Sequence, residues 1–342
     1  MNRRLSQRLL VAAAAFASTA VLFGATGCSA DNAGGGGGGG SSDQVTIGLI
    51  TKTDSNPYFV NMREAAQKAA DAKGAKLVAL AGAFDGDNEG QVSAIENLVS
   101  QGVDGILITP NSSSGILSAI KDARDQGVLV IALDTATDPA DAVDATFATD
   151  NFAAGVAQGT WVKSSLDGKT PKVLLLDGTP GGTVDTLRHQ GFIKGMGLTE
   201  DSPEILGKAD THGDQTKAQT AMENLLERAP DANAVYTINE PAAAGGFAAI
   251  KAAGKADQIV IGSIDGSCTG VENVKKGIIG ATVMQFPGKM ATSGVDAIVA
   301  YAKDGTKPKS GFNDTGSELI TDHPVDGLES KDTAWGAENC WG

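Results

Sequence analysis

From residue 45 onward the chain keeps repeating one unit, a short apolar run, a turn, and then a stretch with apolar residues at helical spacing. Apolar runs fall at 45–50, 76–80, 105–109, 128–133 and 145–148, with helical patterns at 57–73, 88–101 and 113–126. A strand followed by a helix and then a neighbouring strand returns parallel to the first, because parallel neighbours need a long crossover. The pattern therefore predicts an α/β fold built on a doubly wound parallel sheet. It then begins again, with strands at 172–177, 204–208, 234–238, 259–264 and 281–285 and helices at 184–197, 215–228 and 241–253. Two such halves imply two domains with a cleft between them, where small ligands bind preferentially. A last long helical pattern at 290–303 is expected to cross back to the first half.

The turn after the first strand reads Ser55, Asn56, Pro57, Tyr58, Phe59. Asn56 suits a helix cap and Pro57 the first helical position, so two aromatic rings project from a first turn. Ligands of open α/β sheets sit beyond the carboxyl ends of the strands, so these rings face the expected crevice. There, flat rings can stack on the C–H faces of a sugar; the plainer alternative is that they only pin the helix to its sheet. The other strand ends carry Asp85, Asn111 and Asp134 in the first half and Asp177, Asn239, Asp265 and Gln285 in the second. Carboxylates and amides pair with vicinal hydroxyls, at roughly 1.5–3 kcal/mol where one partner is charged. A ring of carboxylates also repels phosphorylated ligands. Each position has a local reading as well, since Asn and Asp favour turns and caps.

A net charge of -14 excludes a basic face able to neutralise a nucleic-acid backbone. Arg3, Arg4 and Arg8 followed by an apolar core at 9–23 and the small residues before Cys28 read as an export signal. Cys28 resembles the bacterial lipobox cysteine, which is diacylated and becomes the new amino terminus; Ala25 stands where Leu is more usual. The seven glycines at 34–40 then read as a flexible tether. With Cys28 set aside, an exported chain is left with Cys268 and Cys340, an even pair that reads as a disulfide, with two free thiols as the alternative.

The motifs taken in order resemble the periplasmic sugar-binding proteins of the ribose-binding type, the solute receptors of ABC importers. They are Asn56-Pro57-Tyr58-Phe59, Leu133-Asp134, Arg188-His189-Gln190-Gly191-Phe192, Asn239-Glu240, Ile264-Asp265-Gly266 and Gln285. The resemblance implies two lobes of the type I periplasmic binding fold. The leader spans 1–28 and the tether 29–43, the first lobe takes 44–149 plus 286–320, and the second takes 150–285 plus 321–342. It implies that Asn56 and Asp134 bond sugar hydroxyls from the first lobe, with Tyr58 and Phe59 stacked on the ring. Arg188, Asn239 and Asp265 would bond from the second lobe, and Gln285 would reach both from the hinge. Asp85, Thr135 and His212 are secondary candidates; Thr135 stands where the ribose-binding branch has Arg, which argues against ribose itself. Gly48 to Phe59, Phe84 to Glu89 and the closing Cys340-Trp341-Gly342 are similar to the fructose-binding branch. Fructose is therefore the expected ligand, with ribose, mannose or a polyol such as inositol as competitors, and a sugar-sensing receptor is the alternative role. The implied partners are an ABC permease with its ATPase and, through Cys28, the outer face of the membrane; the implied state is a monomer without cofactor or metal. Hinges are expected near 148–151 and 285–287.

Other readings are weaker. Asp85, Asp87, Glu89, Gly90 and Glu96 match the spacing of a calcium loop, but Val92, Ile95 and Leu98 already form a helix face there. No nucleophile motif accompanies His189, His212 or His323, which argues against an enzyme. A sugar-responsive transcription regulator would carry an N-terminal helix-turn-helix in place of the leader and glycines. Trp161, at helical spacing, reads as core.

Overall fold

The computed structural model describes residues 44–342; the leader, Cys28 and the glycine tether lie outside the described residues. The first lobe runs β1 (Thr46–Thr51), α1 (Pro57–Lys73), β2 (Lys76–Ala81), α2 (Asn88–Ser100), β3 (Gly105–Ile108), α3 (Leu117–Asp125), β4 (Leu129–Leu133) and β5 (Ala145–Ala148). The second runs α4 (Asn151–Ser164), β6 (Val173–Asp177), α5 (Thr183–Met196), β7 (Ile205–Asp210), α6 (Gln215–Arg228), β8 (Ala234–Thr237), α7 (Glu240–Ala252), β9 (Val260–Asp265), α8 (Cys268–Lys275) and β10 (Ala281–Met284). The chain ends with α9 (Pro287–Asp304), β11 (Phe312–Asp314), β12 (Glu318–Ile320) and α10 (Thr333–Asn339).

Each lobe is a six-stranded sheet, ordered β2-β1-β3-β4-β5-β11 in the first and β7-β6-β8-β9-β10-β12 in the second. Both are parallel throughout except that β12 joins β10 antiparallel. The doubly wound prediction holds because buried strands such as Gly105–Ile108 and Leu129–Leu133 are apolar on both faces, as a sheet covered by helices on two sides requires. The long helix α9 does return to the first lobe, where it packs on α1, β3 and β4. The chain thus passes between lobes three times, at 148–151, 284–287 and 314–318. The third passage has no strong sequence signal, being made by two three-residue strands. It also moves one boundary: Glu318–Ile320 pairs with β10 in the second sheet, although it falls inside the segment assigned to the first lobe.

Some elements differ from expectation for local reasons. The helix expected at 113–126 begins only at Leu117, because Ser112 Oγ turns the chain by accepting from Gly115 and Ser113 Oγ donates to Ala136 O. The short helices α8 and α10 escape a periodicity search because they span only two turns. They are joined by a Cys268–Cys340 disulfide with Cα atoms 4.9 Å apart. Trp161 is core: its indole lies on Gly280 and its Nε1 donates to His323 O at 3.0 Å.

Helices α4 and α5 pack backbone against backbone. A Cβ on Gly155 would fall 2.3 Å from Arg188 O, on Gly159 2.2 Å from Phe192 O, on Gly191 2.3 Å from Phe152 O, and on Gly195 2.3 Å from Val156 O. Four glycines therefore let two backbones touch, and no flexible side chain is available to yield. Gly159→Ala should lower stability by about 1–3 kcal/mol through overpacking, despite gaining about 1 kcal/mol of helix propensity. A urea midpoint equal to or above wild type would contradict this packing.

Candidate functional site

The strand order reverses beside β1 in one sheet and beside β6 in the other, and such switch points open a crevice at the carboxyl ends of the strands. The two crevices face each other and enclose a cleft of about 430 Å³, counting the space open to solvent at its mouth. The loops after β1, β2 and β4 supply Lys52, Asn56, Tyr58, Phe59, Asp85 and Asp134. The second lobe supplies Thr179, Asp185, Arg188, His212, Asn239 and Asp265, with Gln285 at a crossing. All eight principal candidates, together with Asp85 and His212, are thus brought to one cleft.

Three sequence candidates are not on its wall. Thr135 is buried beneath it, donating its hydroxyl to Asp134 Oδ2 at 3.0 Å, so it braces a lining residue. Asn111 accepts from Gly86 N at 3.0 Å and from the chain interior donates to Asp87 O. Asp177 pairs with His189 at 2.6 Å, and His189 also reaches Glu200. A strand-end position alone does not say which way the following turn points, which is why these polar residues looked equivalent in sequence.

Each lining side chain is held by specific partners. Asn56 caps α1 by accepting from Tyr58 N at 3.0 Å, and Asn239 caps α7 by accepting from Ala242 N at 3.0 Å while donating to Gly213 O. Tyr58 OH donates to Asp134 Oδ1 at 3.0 Å. Arg188 is 3% exposed; its Nε donates to Asn151 Oδ1 at 2.7 Å and its Nη1 to Ile238 O at 2.8 Å. Nη1 also lies 3.9 Å from Asp265 Oδ1, which accepts from Gln285 Nε2 at 3.2 Å. Asp134 and Asp265, one from each lobe, both adopt positive φ, 62° and 150°. Side chains rarely enter that region, and such strain gathers at functional sites.

Two charged lining residues were invisible to the sequence reading. Lys52 is 4% exposed, faces the cleft, and has no carboxylate within salt-bridge distance among the described residues. Burial pulls its ammonium down, but the charges of Asp85, Asp185 and Asp134 outweigh this and hold it above the usual lysine value. Asp185 accepts from Thr179 N at 2.8 Å through Oδ1, while Oδ2 is buried without a hydrogen-bond partner among the described residues. Lys52 directly follows an apolar strand, the same signal used for the others, but a lysine there reads as solvated. Asp185 reads as an ordinary acidic residue of a helix first turn.

Burial pushes the Asp265 carboxyl well up, Glu240 adds to the rise, and Arg188 opposes it. Burial and the Asp134 charge push the Tyr58 phenol well up, so it stays a donor. Burial also raises Asp185 to about 6, against the pull of Lys52. Two cations, Lys52 and Arg188, therefore face four carboxyl groups, and burial pushes two of these, Asp185 and Asp265, upward.

The lobes also touch directly. Thr179 Oγ1 donates to Asp85 Oδ1 at 2.6 Å, Thr183 N to Ser113 Oγ at 2.9 Å, and Thr183 Oγ1 to Ala136 O at 2.9 Å. This is a closed arrangement of two halves over polar walls. The family profile described as a periplasmic binding protein domain matches residues 47–307. The chain belongs to that family. It is similar to the ribose import binding protein RbsB of Bacillus subtilis, 35% identical over 75% of this chain and 82% of the relative. Among solved structures it superposes on an ABC transporter solute-binding protein from Agrobacterium vitis with bound D-fucose. That match has a TM-score of 0.77 and 27% identity, over 87% of this chain and 100% of the other. A galactofuranose-binding protein gives a TM-score of 0.74 at 28% identity, over 81% and 94%. Within the family the chain is of the ribose-binding type of sugar-binding solute receptors for ABC transporters, a binding protein and not an enzyme.

Asp185 makes stability depend on pH with a definite sign. Its folded value lies above its unfolded one, so the native state holds the proton more tightly. Its contribution is complete below about pH 4 and is lost as pH rises through about 6, by about 3 kcal/mol. Asp185→Asn should therefore gain stability relative to wild type as pH rises from 4 to 7. A difference in melting temperature that stays constant over that range would contradict the buried, unpartnered oxygen.

Proposed function

We propose that this chain captures a neutral monosaccharide between its lobes and hands it to an ABC import permease. The observation that carries the reading is the composition of the cleft wall. Lys52 and Arg188 offer charged donors, Asn56 and Asn239 amides, and Asp85, Asp134, Asp185 and Gln285 acceptors, drawn from both lobes. Such a wall favours a neutral polyhydroxylated ligand, since an anionic one would sit against the carboxylates. The unpartnered oxygens of Asp185 and Gln285 are acceptors that ligand hydroxyls would satisfy, and leaving such groups unpaired costs about 1–3 kcal/mol each. Tyr58 and Phe59 stand at 85° to one another. A flat sugar ring can therefore lie parallel to only one of them, and the other meets it by edge.

Only the closed form joins both half-sites, so the sugar favours closure by its extra affinity for that form. Fructose is the proposed sugar, on the branch-specific stretches from Gly48 to Phe59 and Phe84 to Glu89; Thr135, in place of an Arg, argues against ribose. The receptor is proposed to be a monomer held at the outer face of the membrane by a diacylated Cys28, two acyl chains being what stable anchoring needs.

A calorimetric screen against fructose, ribose, mannose, xylose and inositol should find one tight ligand, recovered unaltered, with fructose first. Asp134→Ala should weaken it at least 100-fold, about 2.7 kcal/mol, and Lys52→Met should also weaken it. Small-angle scattering should show a smaller radius once the sugar is added. Wild-type affinity in Asp134→Ala, or no response to any sugar, would sink the proposal. Separately, Cys28→Ser should move the protein from the membrane to the soluble fraction; an unchanged partition would dismiss the lipid anchor.

A further inference from the structure

The last residues of the chain reach the wall of the cleft. Cys340 is bonded to Cys268 at the start of α8, and Trp341 makes a β-bridge with Ser267, its carbonyl accepting from Cys268 N at 2.9 Å. So far the tail belongs to the second lobe. Its indole, however, leaves that lobe. Trp341 Nε1 donates to Gln285 O at 3.0 Å, at the crossing between lobes. The ring packs against the first-lobe core and meets Tyr58 edge to face, with centroids 5.4 Å apart and planes at 78°.

Tyr58 is therefore held on three sides. Phe59 meets it edge to face at 5.4 Å, Asp134 accepts a hydrogen bond from its hydroxyl at 3.0 Å, and Trp341 supplies the remaining support. The groove lined by Trp341, Ser267, Asn56, Tyr58 and Asp265 shares its last three residues with the cleft. Trp341 thus backs the wall that separates that groove from the site. Aromatic edge contacts contribute about 0.5–1.5 kcal/mol beyond burial, enough to select one setting of a neighbouring ring.

We propose that Trp341 is a positioning residue for the binding site, and that the Cys268–Cys340 disulfide serves to hold it there. It acts through Tyr58, which it orients toward Asp134. Gln285 is fixed by the same indole, so both a first-lobe wall residue and a crossing residue depend on a tail anchored in the second lobe. This inference rests on the sugar-binding reading above.

The test uses the mature protein and the tight sugar found by the calorimetric screen. Trp341→Ala should raise Kd about tenfold or more, and Trp341→Phe, which keeps an aromatic edge, should stay within about threefold of wild type. Cys268→Ser with Cys340→Ser should shift Kd in the same direction as Trp341→Ala. A spectroscopic readout separates positioning from mere stabilisation. The chain has three tryptophans. Sugar should change tryptophan emission in Trp161→Phe and Trp335→Phe, but not in Trp341→Phe. A folded Trp341→Ala with Kd within twofold of wild type would overturn the proposal. So would an emission change that survives Trp341→Phe, a result that decides the matter even if Trp341→Ala does not fold. If wild type itself binds no sugar, it is the functional reading that fails.

Discussion

The backbone contact between α4 and α5 is the constraint from which the second half of the site follows. Where Gly155 and Gly191 bring the helices together, Arg188 is carried to the end of β8 with its guanidinium out of water. A buried cation is tolerated only if its donors are paired. Asn151, the first residue of α4, and Ile238 O provide two of those pairings at 2.7 and 2.8 Å. A larger residue at Gly155, whose Cβ would meet Arg188 O at 2.3 Å, would push α5 away from α4 and strain the Asn151–Arg188 clamp. The packing of two helices and the electrostatics of the cleft are in this sense a single arrangement.

The rest of the second-lobe wall follows a similar logic with different means. Glu240 is buried and accepts from Gly266 N, Ser267 N, Ser267 Oγ and Thr282 Oγ1, which fixes the turn after β9. Through that turn Asp265 is kept at a φ of 150° with its carboxyl toward Arg188. Local strain in one residue is offset by hydrogen bonds to its neighbours. Asp134 reaches a comparable backbone setting in the first lobe, braced by Thr135 and Tyr58.

The fold was readable because strand and helix periods alternate cleanly and because β strands buried on both faces need apolar runs. Much of the cleft was readable too, since ligand-facing groups of such sheets stand at strand carboxyl ends, as Asn56, Asp85, Asp134, Asn239 and Asp265 do. What could not be read was direction. Asp177 and Asn111 end strands just as Asp265 and Asp134 nearly do, yet their turns point them into their own lobes. Lys52 and Asp185 carry no periodicity signal at all, and only burial among carboxylates distinguishes them from surface charges. The third crossing was placed a few residues late, after residue 320, because three-residue strands are too short to show a period, and the role of Trp341 was missed because it depends on a contact 283 residues away in sequence.

The split composition of the first sheet has a bearing on how the chain comes to be folded. Its edge strand, Phe312–Asp314, and its covering helix, Pro287–Asp304, are both made after most of the second lobe, residues 150–285. During synthesis the amino-terminal half therefore exposes the apolar face that α9 later conceals, and contacts so distant in sequence form slowly. The first lobe, begun earliest, therefore cannot cover its own core until residues 287–304 have joined it.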